Sequence, residues 1–263
     1  MLRQNSSNSS KRNGALDQQR TVTLTFHPDD EFDALIGPDG EPRELADLAA
    51  MYRAVGFAVP DALSAWEQPG SRALGLYLPG SDAMSLRAGE LTIEQQATVV
   101  HELVHALTDQ HHALDRFTPT EDAAFACRAL VEGDASVVEN RWFRSVVSTN
   151  NVAEPPDATD YQPLPEPMES DAVAPYVLGS MFVELLLAQG GWDAVDDAYS
   201  HPPASSAELM QPERFLNQDP LVPLAATRTQ DTIWAGSFGM STIFLTLGQQ
   251  TLTRSSVAAT QSV

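Results

Sequence analysis

In the stretch Ala97-Thr98-Val99-Val100-His101-Glu102-Leu103-Val104-His105-Ala106-Leu107-Thr108-Asp109-Gln110-His111, two histidines stand four residues apart inside a helical run. Thr92 and Gln95 are spaced as a capping box, and the run extends to about Leu114. Ile93, Ala97, Val100, Val104 and Leu107 recur at intervals of three and four, which predicts one buried stripe. Residues four apart on such a helix differ by about 40° around its axis, so His101 and His105 share one side. Two imidazoles at that spacing grip one Zn²⁺, while Glu102, about 100° round, leans over the open coordination position. Zinc lowers the pKa of its water towards about 7, and a carboxylate then takes the proton as that water attacks a carbonyl. Glu102 is thus the candidate general base, and later the donor to the leaving amine. A bare five-residue match of this kind also arises by chance. The mid-helix setting, the apolar flanks and a suitable third ligand separate this one from an accident.

The third ligand is expected from a second helix packed on the first. Glu132 fits best, within Ala129-Leu130-Val131-Glu132-Gly133-Asp134-Ala135. A carboxylate among Leu and Val at helical spacing is costly to bury unless it binds something. Glu121 and Glu139 share roughly the same face and stay open as alternatives. Gly133 gives up about 1 kcal/mol of helix propensity relative to Ala, which close approach of another backbone or of the metal helix would explain. Asp134 is read either as a partner orienting a histidine or as a solvated surface acid. A peptidase also needs a donor for the tetrahedral oxyanion, and Tyr176, Tyr199 and His201 are the candidates. His111 and His112 read as helix-end dipole partners or surface residues. His27, before Asp29-Asp30-Glu31, reads as the edge of a solvated turn. Glu102-x-x-His105 is also the spacing of di-iron carboxylate bundles, which need a second such pair on another helix. The sequence has none.

Around this core the chain is mainly α with a small β component. Strands are expected at Thr21 to Phe26, Arg72 to Leu78 and Met84 to Leu91. Helices are expected at Glu44 to Val55, Glu121 to about Val147, Asp171 to Gln189 before Gly190-Gly191, and Trp192 to Tyr199. Ser205 to Phe215 is partly helical, and Asp231 to about Thr253 is a last apolar helix. Residues 1–20 read as a disordered polar leader and 21–263 as a single domain. Thr149 to Ser170, rich in proline and acids, reads as a long irregular loop.

Composition narrows the partners. The chain has 36 acidic against 15 basic residues, a net charge of -21, and Lys11 is its only lysine. Such a surface repels phosphate backbones, so neither nucleic acid nor an anionic membrane is expected as a partner. The same composition also fits a GC-rich genome or a salty habitat. The lone Cys127 excludes an intramolecular disulfide and a cysteine zinc cluster, and sits as a small core residue. No stretch reaches the roughly 20 apolar residues of a spanning helix, and no signal peptide is visible. A soluble protein is therefore expected, while no motif fixes its compartment or oligomeric state.

The motif stretch, together with Glu132-Gly133-Asp134-Ala135, resembles a family of largely uncharacterised bacterial zinc metallopeptidases of the Glu-zincin (thermolysin-like) superfamily. Ala174-Pro175-Tyr176-Val177-Leu178-Gly179 is similar to that family's Pro-Tyr-x-x-Gly helix start. Gly190-Gly191-Trp192-Asp193-Ala194 and Ser205-Ser206-Ala207-Glu208-Leu209-Met210-Gln211-Pro212-Glu213 are similar to its later segments, and the likeness runs from about residue 75 to 220. It implies a zincin-like fold, one Zn²⁺ per chain held by His101, His105 and Glu132, Glu102 as catalytic base, and a protein or peptide substrate. Members are often exported or envelope-associated. Two departures stand out. Gln211 occupies the place of a family His, and Thr251 to Ser256 form a polar tail where relatives continue, so the C-terminus reads as shortened. They raise the alternative of a catalytically inactive zincin-like binding protein.

Overall fold

The computed structural model describes residues 16–36, 49–54, 56–57, 59, 73–114, 121–150, 166–221 and 239–245. It is mainly helical, with one three-stranded sheet. Strand β1 (Thr23–His27) is followed by helix α1 (Asp29–Ile36), and β2 (Gly75–Leu78) by β3 (Ala83–Arg87). The long helices are α2 (Ile93–His112), α3 (Glu121–Asn150) and α4 (Glu166–Gly190), followed by the shorter α5 (Trp192–Ser200), α6 (Ser206–Met210) and α7 (Pro212–Leu216). Residues 49–54 and 240–245 are also helical. The expected helices at Glu44 to Val55 and Asp231 to Thr253 otherwise lie outside the described residues, as does the middle of the expected Thr149 to Ser170 loop. The ends of that loop are helical instead. Glu166 opens α4 five residues earlier than the apolar pattern suggests, and the helix carries Pro175 inside it.

The sheet runs in the order β1-β3-β2, with β1 parallel to β3 and β2 antiparallel to it. The β2–β3 turn carries Gly80 at φ 77 and Asp82 at φ 50. Helix α2 pins it: Asp109 accepts from the Tyr77 hydroxyl at 2.7 Å and from the Gly80 amide at 2.6 Å. Gln110 accepts from the Gln19 and Arg20 amides and donates to Arg20 O and Asp82 Oδ1, so the end of the polar leader is tied to α2 as well. Asp29-Asp30-Glu31 is no solvated turn but the first turn of α1, where acids suit the helix dipole. Arg87 reaches back from β3 to Asp29 and Asp33.

Thr92 caps α2, accepting from the Gln95 amide. The reciprocal half of the capping box is absent, because the Gln95 side chain donates to Arg87 O instead. The apolar stripe makes up only part of the buried face of α2, where Ala97 is its one buried member. Gln95, Glu102, Ala106 and Asp109 are buried, while Ile93, Val100, Val104 and Leu107 are half-buried. The helix packs on the sheet and on α3; towards the sheet Ala106 meets Tyr77 and Met84, while Asp109 and Gln110 are buried with hydrogen-bond partners.

The main core joins α3 to α4 and α5. Ala126, Ala129, Leu130 and Val137 meet Phe182, Val183, Leu186, Val195 and Tyr199. Gly133 and Gly179 mark the α3–α4 crossing: a Cβ on Gly133 would lie 2.2 Å from the Gly179 carbonyl carbon. The backbone that Gly133 admits is thus that of α4, not of the metal helix. Among the described residues Val173–Gly190, with mean hydropathy 1.4 over 18 residues, is the one segment that passes for a membrane span by length and composition alone. Its buried side is this core, and Glu184 within it pairs with Arg141.

Candidate metal centre

Helices α2 and α3 bring three donor groups to one point. His101 Nε2 lies 3.2 Å and His105 Nε2 3.5 Å from Glu132 Oε2, and all three donors lie within 4.8 Å of one another. The imidazole rings meet edge to face, 4.6 Å between centroids and 86° between planes. For a tetrahedral ion with bonds of about 2.1 Å, neighbouring donor atoms stand about 3.4 Å apart. The two observed separations bracket that value, and two nitrogens with one carboxylate oxygen make a suitable set for zinc, so these residues fit the ion.

Glu139, two turns beyond Glu132 on α3, serves differently from either alternative ligand read from the sequence. Its Oε2 lies 3.0 Å from His101 Nδ1. Without metal both ring nitrogens carry protons, each aimed at a carboxylate; Glu139 fixes the ring orientation and would keep the Nδ1 proton when Nε2 gives up its own to a metal. Glu121, at the exposed start of α3, is about 16 Å along the helix axis from Glu132 and is not in the cluster.

Burial and mutual contact set the charges. Burial works against the His101 imidazolium, but Glu132 and Glu139 outweigh it and push the group up to about 10. Burial would raise Glu132, yet His101 and His105 hold it well below the usual carboxylate range. Glu102, only 8% exposed, is raised by burial against the opposing pull of His105 and His101. Gly75 makes room for it: a Cβ there would lie 2.9 Å from Glu102 Cγ and 2.6 Å from Thr98 Cγ2.

The three oxyanion candidates part company. Tyr176 stacks on His101, with centroids 6.3 Å apart, and its phenol is raised by burial and by the Glu132 carboxylate. Tyr199 points into the core, donating to Asp134 at 3.0 Å and stacking on His112 at 4.8 Å. His201 is exposed at the C-cap of α5, its ring without a hydrogen bond or ion pair among the described residues. Asp134 is fully enclosed rather than solvated. It accepts from Tyr199 and, at 3.4 Å, from Thr108, with no hydrogen bond to a histidine, and burial pushes it up to about 6. His111, half-buried, lies 2.8 Å from Asp17 O, and Gln211 joins α6 to α7. Cys127 is buried against Pro203 O.

A cavity of about 240 Å³ opens beside the cluster, lined by His105 and Glu132 with Tyr77, Pro79, Leu114, Ala124, Cys127, Arg128 and Val131. Comparison of the chain with protein-family models, curated proteins and solved structures finds no match.

Proposed function

We propose that this chain is a zinc-dependent metallopeptidase, with His101, His105 and Glu132 as ligands and Glu102 as general base in peptide-bond hydrolysis. The observation carrying the reading is the convergence of those three donors within 4.8 Å of one another, with the buried Glu102 carboxyl beside them. When bound, the ion supplies Lewis acidity, which makes water nucleophilic near neutral pH. Glu102 would take a proton from the attacking water and return it to the leaving nitrogen, a role suited to a carboxyl whose pKa burial has raised. Tyr176, beside His101 and keeping its proton, donates a hydrogen bond to the developing oxyanion. Glu139 holds His101 in the ligating tautomer.

Glu102→Gln is the direct test. Zinc content stays at one per chain while peptide turnover falls at least about 100-fold, the lower end of what a positioned base contributes. Wild-type turnover by that variant refutes the mechanism. The competing reading is an ion-pair cluster that holds the fold without metal, favoured by the contacts His101 already makes with Glu132 and Glu139. A thermal transition unmoved by zinc would support that reading instead.

A further inference from the structure

We infer that Arg128 binds a substrate carboxylate in the cavity beside the metal ligands, so that the preferred peptide carries an acidic group next to the cleaved bond. The inference rests on the metallopeptidase reading and names its substrate class. Arg128 and Glu132 are one turn apart on α3, where side chains project to the same face. Both line the cavity of about 240 Å³ that also takes in His105, and most of its remaining lining is apolar. That space equals the liquid volume of about eight waters, room for a residue-sized group.

The charge of Arg128 is uncommitted. Arg20, Arg87 and Arg141 each hold a carboxylate. Arg128 is exposed and forms no ion pair with any described residue, in a chain with 36 acids to 15 bases. Arg128 shares the wall of this cavity with the metal ligands His105 and Glu132. The cavity also holds the Glu132 carboxylate, and a net charge of -21 repels an anionic ligand overall. A cation on the cavity wall is what admits a carboxylate there, and the guanidinium fork matches that group in two parallel hydrogen bonds. The carboxylate is either the peptide's C-terminus or an Asp or Glu side chain.

The test is isothermal titration of zinc-loaded Glu102→Gln protein, which is expected to bind peptide without cleaving it. The probes are an N-acetylated alanine-rich hexapeptide with a free C-terminal carboxylate, its C-terminal amide, and that amide carrying one Glu or one Gln near its centre. A hydrogen-bonded charge pair predicts about 10- to 100-fold tighter binding for a carboxylate-bearing peptide than for its neutral match. Adding Arg128→Gln brings the two Kd values together, and Arg128→Lys restores part of the gap. The acid–amide pair and the Glu–Gln pair tell which carboxylate is read. No carboxylate preference, or a preference undiminished in Arg128→Gln, overturns the inference, as does absence of binding by every peptide. Parallel turnover assays with Glu102 intact separate the two claims. Arg128-dependent binding without zinc-dependent cleavage keeps the carboxylate site and removes hydrolysis, and cleavage without carboxylate preference does the reverse.

Discussion

Gly179→Ala drives a methyl group into the facing helix. A Cβ at Gly179 would lie 1.8 Å from the Ala129 carbonyl oxygen and 3.0 Å from the Gly133 nitrogen, whereas ordinary contact begins at 3.4 Å. Both obstacles are helix backbone, so no side chain can rotate away, and α3 and α4 must part by roughly 1.6 Å at the crossing. Overpacking of this kind costs about 3 kcal/mol or more, and Ala returns about 1 kcal/mol of helix propensity. The net loss is about 2 kcal/mol at least, a fall of roughly 4–8 °C in Tm for a domain of this size. Urea unfolding with matched m-values measures it. Because Glu132 adjoins Gly133, zinc affinity falls alongside stability. A variant as stable as wild type, or more stable by the propensity gain, refutes the helix crossing and with it the positioning of Glu132.

Two further predictions concern the acids around the cluster. Glu139→Gln weakens zinc binding about 10- to 100-fold without abolishing it, since the variant loses the carboxylate that orients His101 while keeping all three ligands. Competition with a chromophoric chelator reads the change, and complete loss of zinc would instead make Glu139 a ligand. Asp134→Asn probes the enclosed acid in metal-free protein. Its folded pKa of about 6 exceeds the 3.8 of an ordinary aspartate, so wild-type stability is lost as pH rises from about 4 to 6 and the loss stays constant above. The variant therefore gains up to about 3 kcal/mol on wild type above pH 6 and nothing below pH 4. A pH-independent difference between the two unfolding curves contradicts that account.

Local rules fixed much of this fold. Thr92 as N-cap and the periodic run behind it locate α2 to within two residues of its observed ends. An acid set among Leu130, Val131 and Gly133 singles out Glu132 because a carboxylate there needs a partner. What escaped depends on neighbours distant in sequence. The polar buried face of α2 is invisible to a hydrophobic pattern, since Asp109 and Gln110 are buried by virtue of Tyr77, Gly80 and Arg20. Helix α1 was hidden because its opening acids look like a turn until Arg87 arrives from β3. Glu132 and Glu139 share a helix face, and only the direction of the His101 ring tells the donor that faces the cluster from the one behind it. The same holds for Tyr176 and Tyr199, which differ in whether their helices turn them to the cleft or to the core.

Zinc titration of metal-stripped wild-type protein against Glu132→Ala addresses the central claim most directly. The account predicts one zinc equivalent per wild-type chain and an affinity reduced at least about 100-fold in the variant, with helical content unchanged. Wild-type protein that takes up no zinc, or a variant that binds it equally well, would contradict the three-ligand site.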